Sequence, residues 1–411
     1  MDNNNVMLFA RRIKRKLKKI FYGSKFQKQK ALQMMKLNCT LNTSDNPSGN
    51  ALDRENTRIV VQIVGSLHFG DAVGNDVLAI QKALSEEGYC TGIFATSIDE
   101  RVKSNLVFRL DQLPELKEED IVIYHFGSAD VSYEIIRDLK CKRILRYHNV
   151  TPPKFFKGYD KASEISTTNG LKQIEAMKDF FDYGMVDSEF NKMDLIKMGH
   201  HYPIEVVPIL IPFDDYKKSP SAHIIEKYKT DDYTNIVFVG RIVPNKKDDD
   251  LIKCFAAYQR IYNQKSRLIL VGNYNGQEQY YDELKMLVEK EKVDDVIFTG
   301  HISFADILTY YQIADLFLCL SEHEGFCVPL IEAMFFEKPI LAYNMAAVPE
   351  TLGGGGMLID DKQPEYVAQK MHEILESKEL QEKYLQGARS KIQSLQYDNI
   401  KAEIMDIIQK I

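Results

Sequence analysis

The sequence predicts an α/β protein of two doubly wound, Rossmann-like parallel-sheet domains facing each other across a cleft. Three observations predict it. The chain has 411 residues, too many for one core and suited to two domains of ordinary size. From Arg58 onward, short apolar runs alternate with longer amphipathic stretches, as parallel α/β sheets read. That rhythm breaks once, at IPFDDYKKSP (211–220), where proline and charge interrupt it.

Residues 1–30 hold ten Lys and Arg against one acid, Asp2, and Ile13, Leu17, Ile20 and Phe21 recur at helical spacing among them. They read as a basic amphipathic segment. Residues 31–57 are rich in Asn, Ser and Thr and read as a flexible linker. The first domain, 58–213, carries RIVVQIVG (58–65), TGIFAT (91–96), DIVIYHF (120–126), KRILRYHN (142–149), YGMVDS (183–188) and IEVVPIL (204–210) as strands. The second, 214–395, carries TNIVFVG (234–240), SRLILVG (266–272), DVIFTG (295–300), ADLFLCLS (314–321) and KPILAY (338–343), and residues 396–411 a closing helix. Several runs end in Gly or Ser before a helical stretch, as strand-to-helix turns do. Two such domains leave a ligand-sized crevice at the carboxyl ends of their strands.

Hydrophobic residues make up 45% and charged residues 27% of the chain, a globular composition. No apolar run is long enough to span a membrane, and no apolar region with a small-residue cleavage site opens the chain. The six cysteines lie far apart with no C-x-x-C pair, which speaks for reduced thiols and against a disulfide framework or zinc knuckle. These readings predict a cytoplasmic protein. The net charge of −6 hides an acidic body behind the basic head, so nucleic acid is not an expected partner. The basic head itself, over residues 11–30, suits an anionic membrane surface, which would make the protein peripheral at the inner face of the plasma membrane. A solvated tail is the alternative.

Four stretches could carry chemistry. In SEHEGFCVPLIEAM (321–334), Glu324 and Glu332 stand eight apart after an apolar strand. If Phe326 and Cys327 open a helix, Glu332 lies about two turns on, on the same side. The amides of Gly325, Phe326 and Cys327 would then favour a phosphate or a sugar hydroxyl. In VFVGRIVPNKK (237–247), Arg241 and Lys246 flank a turn bent by Pro244, so both cations can face one pocket and hold a diphosphate leaving group. Asp248, Asp249 and Asp250 follow, and acids in a first helical turn are favoured by the macrodipole, so no metal is expected. GSLHFGDAVGND (65–76) is a glycine-rich turn after the first strand that does not match G-x-G-x-x-G, which removes the main support for a dinucleotide-dependent dehydrogenase. In RYHNVTPPKFF (146–156), His148 and Asn149 end a strand and could touch a reacting sugar, with His125 placed similarly. Asp187 and Ser188 read as caps of the following helix. Each stretch taken alone also fits an ordinary solvated turn.

Together they resemble the large retaining family-4 glycosyltransferases of GT-B fold, over about residues 58–395. The family's glycine-rich first loop is matched by Gly70 and Asp71, its G-R-φ-x-x-x-K turn by Gly240, Arg241 and Lys246, and its E-x7-E stretch by Glu324 and Glu332. AAVPETLGGGGMLI (346–359) is similar to the segment after that helix. The resemblance implies that Arg241 and Lys246 hold the donor diphosphate, with Glu324 on the donor sugar and Glu332 on the ribose. It sets His148 beside the transferred sugar, Gly70 near the phosphates, and Gly300, His301 and Ile302 around the base. Cys327 departs from a frequent glycine and would narrow the pocket. The implied reaction is metal-free hexosyl transfer with retention, from a GDP- or UDP-linked nucleotide-sugar to a glycan or lipid-linked acceptor in cell-surface polysaccharide or glycolipid assembly, with no cofactor. A covalent carboxylate intermediate is the competing mechanism. The alternatives are a catalytically silent GT-B subunit that binds a partner or glycan and a soluble sugar-phosphate glycosyltransferase.

Overall fold

A computed structural model describes residues 24–44 and 58–411. The expected α/β architecture of two parallel sheets is present. The first sheet contains β1 (Ile59–Leu67), β2 (Cys90–Ile98), β3 (Val107–Arg109), β4 (Ile121–Phe126), β5 (Lys142–Tyr147), β6 (Tyr183–Val186) and β7 (Ile204–Val206). They lie in the order β3-β2-β1-β4-β5-β6-β7, and every neighbouring pair is parallel. The second contains β8 (Thr234–Val239), β9 (Ser266–Val271), β10 (Val296–Phe298), β11 (Leu316–Cys319), β12 (Ile340–Tyr343) and β13 (Met357–Ile359), ordered β10-β9-β8-β11-β12-β13 and again parallel throughout. In both sheets the chain reverses direction beside the first strand, the switch point at which such sheets bind ligands.

The strands are largely apolar because helices cover both faces. All six residues of β4 and the last four of β5 are buried, so His125 and Arg146 are buried polar groups among hydrocarbon and must find partners. The helix Tyr397–Lys410 returns to the first domain. Its Ile400, Ile404, Ile407 and Ile408 are buried, and Lys401 meets Glu86 at 3.0 Å and Glu87 at 2.8 Å while Lys410 meets Glu205 at 3.1 Å. That strap ties the second domain's last helix to the first domain's sheet.

One expectation needs correction. The stretch read as a linker over 31–57 contains, up to residue 44, part of the helix Lys25–Ser44. Ala31 and Met35, four apart on one face, are buried there, with Met35 against the bare Cα of Gly92 and beside Phe108. Two buried apolar anchors in a polar stretch, Ala31 and the large Met35, dock the helix on β2. The basic segment assigned to residues 1–30 lies outside the described residues up to 23, as do residues 45–57. Among the described residues no helix is long and apolar enough to cross a membrane.

Candidate active site

The carboxyl ends of the two sheets face a cleft of about 540 Å³. Of the residues singled out in the sequence, Gly70, Asp71, His148, Gly240, Arg241, Lys246, Gly300, His301, Ile302, Glu324, Gly325 and Glu332 line it, whereas Phe326 and Cys327 do not. Those two are buried beneath the floor. Cys327 therefore does not narrow the cleft.

The turn after β8 places its two cations differently. Arg241 is exposed, and among the described residues it forms no ion pair. Lys246 ends the short turn Pro244–Lys246 and lies 2.6 Å from both carboxylate oxygens of Glu324. Burial pushes the Lys246 ammonium down, but the adjacent Glu324 carboxylate outweighs it and holds the pKa above the usual lysine value. The amide of Asn245 donates to the His323 carbonyl at 3.0 Å, and the Glu322 amide to the Asn245 carbonyl at 2.9 Å, so the two motif loops are stitched together. Asp248 is buried, and burial pushes its carboxyl well up. Asp249 and Asp250 pair with Lys247, Lys253 and Lys362 at 2.7–3.6 Å.

Glu332 sits in the helix Val328–Phe335, where it accepts the hydroxyls of Tyr311 at 2.6 Å and Tyr216 at 3.2 Å. Burial pushes its carboxyl up, against those two bonds. Neither tyrosine was singled out in the sequence: they lie 21 and 116 residues from Glu332.

On the first-domain wall, Gly70 takes φ +84° in the loop after β1, and Asp71 caps the helix Ala72–Glu86 by accepting the Gly74 amide at 2.6 Å. Burial raises the Asp71 carboxyl despite that bond and the nearby His68, His148 and Arg241. Opposite, a Cβ on Gly325 would fall 2.8 Å from the His148 carbonyl, so only glycine lets the two domains approach here. The Ser188 hydroxyl donates to the Gly325 carbonyl at 2.7 Å, and His323 Nε2 donates to Asn149 at 2.8 Å. Burial pushes His323 down to about 4, so it is a neutral donor at pH 7. Ser188 also accepts the Asn191 amide. It is thus a cap, as the sequence suggests, and a cross-cleft contact that the sequence does not reveal.

His148 is the least expected. Its side chain is only 2% exposed and its ring turns into the domain. The Gln62 amide nitrogen donates to the Val77 carbonyl at 3.0 Å, so its oxygen accepts His125 Nε2–H at 2.9 Å. Burial, then His148 and Arg146, holds His125 far below the usual histidine value. Neutral His125 presents a lone pair at Nδ1, and His148 Nε2–H donates to it at 3.0 Å. His148 Nδ1–H donates to Asp187 at 3.0 Å. Both ring nitrogens are thereby engaged by protein partners and turned away from the cleft. Arg146, fully buried, bridges Asp76 at 2.9 Å and Asp187 at 3.1 Å, which completes a network that the sequence shows only as an odd Arg inside a strand.

Residues 221–391 match the family described as "Glycosyl transferases group 1". The O-antigen chain mannosyltransferase B of Escherichia coli is 28% identical over 179 residues, 42% of this chain and 46% of that one. The GDP-mannose-dependent alpha-(1-6)-phosphatidylinositol monomannoside mannosyltransferase of Mycobacterium tuberculosis is 24% identical over 184 residues, with the same shares. The chain thus spans about half the length of these curated relatives. The sucrose-phosphate synthase of Thermosynechococcus elongatus superposes with a TM-score of 0.69 at 16% identity, covering 86% of this chain and 99% of that one. That likeness shows the fold, the two-domain GT-B architecture.

Proposed function

We propose that this chain is a metal-independent, retaining glycosyltransferase. It moves a hexose from a nucleoside-diphosphate sugar to a glycan or lipid-linked acceptor in cell-surface polysaccharide or glycolipid assembly. One observation carries the reading: exposed Arg241, the Lys246–Glu324 pair and Glu332 converge on one interdomain cleft, inside the stretch that matches the transferase family. The mannosyltransferase relatives favour mannose, carried as GDP-mannose.

In this reading the diphosphate lies against Arg241 and Lys246. Charge grows on the departing phosphate as the anomeric bond breaks, and preorganised cations lower that barrier most. Glu324, fixed by Lys246, orients the hexose hydroxyls, and Glu332, fixed by Tyr311 and Tyr216, orients the ribose. The acceptor oxygen attacks the anomeric carbon from the side the phosphate leaves, and its proton passes to a phosphate oxygen. The occupied ring nitrogens of His148 suit that route, since the histidine is not required as a base. Its peptide borders the sugar, and the ring holds that peptide in place. Domain closure, latched by Ser188–Gly325 and His323–Asn149, excludes water from the donor.

The test is transfer by Arg241→Ala with GDP-mannose and UDP-glucose, product anomers read by NMR. Turnover is expected to fall by about two to three orders of magnitude, with the donor's anomeric configuration kept in the product of the unaltered enzyme. Near-normal turnover would remove Arg241 from the phosphate site, and an inverted product would refute the mechanism.

A further inference from the structure

Among the described residues, two groups of metal-ligating side chains lie beside the cleft. In the first, Asp76, His125 and His148, the hydrogen-bond network described above already occupies the imidazole nitrogens. In the second, Cys319, Glu324 and Cys327, Lys246 holds the Glu324 carboxylate and the Cys319 thiol reaches the Ser321 hydroxyl at 3.5 Å, but two thiols still face one carboxylate. A sulfur from each cysteine and a Glu324 oxygen all lie within 4.8 Å of one another. Cys319 closes β11, Glu324 follows in the loop, and Cys327 precedes the helix Val328–Phe335. Cys327 is held at φ +74°, a left-handed conformation that costs a residue with a Cβ about 1–2 kcal/mol and that glycine adopts freely. A thiol kept at a strained position, facing a second thiol, points to a use for the pair.

We propose that Cys319, Cys327 and Glu324 form a binding site for a divalent cation of the zinc class, and that its occupation switches the donor site off. Zinc takes thiolate sulfur at about 2.3 Å and carboxylate oxygen at about 2.0–2.2 Å, which sets tetrahedral ligands roughly 3.5–4 Å apart, within the observed spread. Charge also closes. The ion displaces one proton from each thiol, M²⁺ + 2 RSH → M(SR)₂ + 2 H⁺, and with the Glu324 carboxylate and the Lys246 ammonium the group is neutral before and after. Glu324 has two oxygens, so Lys246 can keep one while the ion takes the other. The fourth position belongs to water from the cleft, onto which Glu324 opens. A carboxylate held by an ion no longer orients a hexose. The switching effect rests on the transferase reading, whereas the binding does not.

The test uses cadmium as a spectroscopic probe on the reduced full chain. Wild-type protein is expected to show thiolate-to-cadmium charge-transfer absorption saturating at one ion, with two protons released, and zinc should displace it. Cys319→Ala and Cys327→Gly should each lose that band, and Cys327→Gly suits its backbone, so a retained melting transition separates lost binding from lost folding. No band in wild type, or an undiminished band in both folded variants, overturns the site. Zinc should also stop transfer by the wild type, with a chelator restoring it, but not by Cys319→Ala. A cadmium band without any zinc effect on an active enzyme overturns the switch. A chain that binds cadmium in this way yet transfers no sugar supports the site and refutes the transferase reading instead.

Discussion

Replacing Lys246 by methionine tests the core of the site, because it takes the cation from a buried carboxylate. The Lys246 and Glu324 side chains are 17% and 8% exposed and only 2.6 Å apart. Breaking a buried pair by removing one partner costs about 3–5 kcal/mol. The residual exposure of Lys246 lets some water reach the orphaned charge and sets the expectation near the lower end, about 3 kcal/mol. Glu324→Gln should cost a similar amount by stranding the ammonium. In the double variant neither charge remains, so its loss should be well below the sum of the two, giving a coupling of about 2 kcal/mol or more. Stability and activity then part company. The double variant should regain urea resistance but stay about two orders of magnitude or more below wild type in transfer, since clamp and hexose contact are both gone. Urea denaturation with a sugar-transfer assay reads both. Additive single costs would refute the buried pair, and restored transfer in the double variant would refute its place in catalysis.

Other perturbations follow from the same geometry. Tyr311→Phe removes the 2.6 Å bond to Glu332 and should weaken donor binding by about tenfold or more, a charged hydrogen bond being worth about 1.5–3 kcal/mol. Titration calorimetry measures it, and unchanged affinity would detach Glu332 from the nucleotide. Gln62→Leu takes away the acceptor that fixes the His125 tautomer, so His125 can present Nδ1–H and compete with the His148 donation. Nitrogen NMR should show His125 protonated at Nε2 in wild type and at Nδ1 in the variant; an Nδ1-protonated His125 in wild type would refute the assignment. Burial pushes Asp130 up to about 6, so the folded state holds that proton more tightly than the unfolded chain. The group's contribution to stability is therefore favourable below about pH 4 and is lost as pH rises to about 6. Asp130→Asn should gain stability relative to wild type across that interval and hold the gain above it, and a pH-independent difference in urea midpoint would contradict this.

Sheet architecture and motif loops were legible because most strands are largely apolar runs and each motif follows one directly. Strands β3 and β13 were not read as strands; each is only three residues long. The helix Lys25–Ser44 was hidden by polar composition, its docking resting on Ala31 and Met35. The residues that could touch a ligand were mostly legible, and those that hold them were not. Tyr216 and Tyr311 reach Glu332 only through the fold, and Asp187 and Arg146 reach His148 in the same way. The left-handed backbone of Cys327 gives physical meaning to a position where the sequence showed only an unusual residue. What sequence fails to show is orientation: His148 stands where its motif put it, with its ring nitrogens turned away from the cleft.

The most direct test of the central claim is calorimetric titration of wild type and Arg241→Ala with GDP, UDP and ADP, with NAD as control. The account predicts selective binding of one nucleoside diphosphate, largely lost in the variant while the melting temperature stays unchanged, because Arg241 is exposed and forms no ion pair among the described residues. Binding of NAD alone, or equal diphosphate affinity in both proteins, would contradict it.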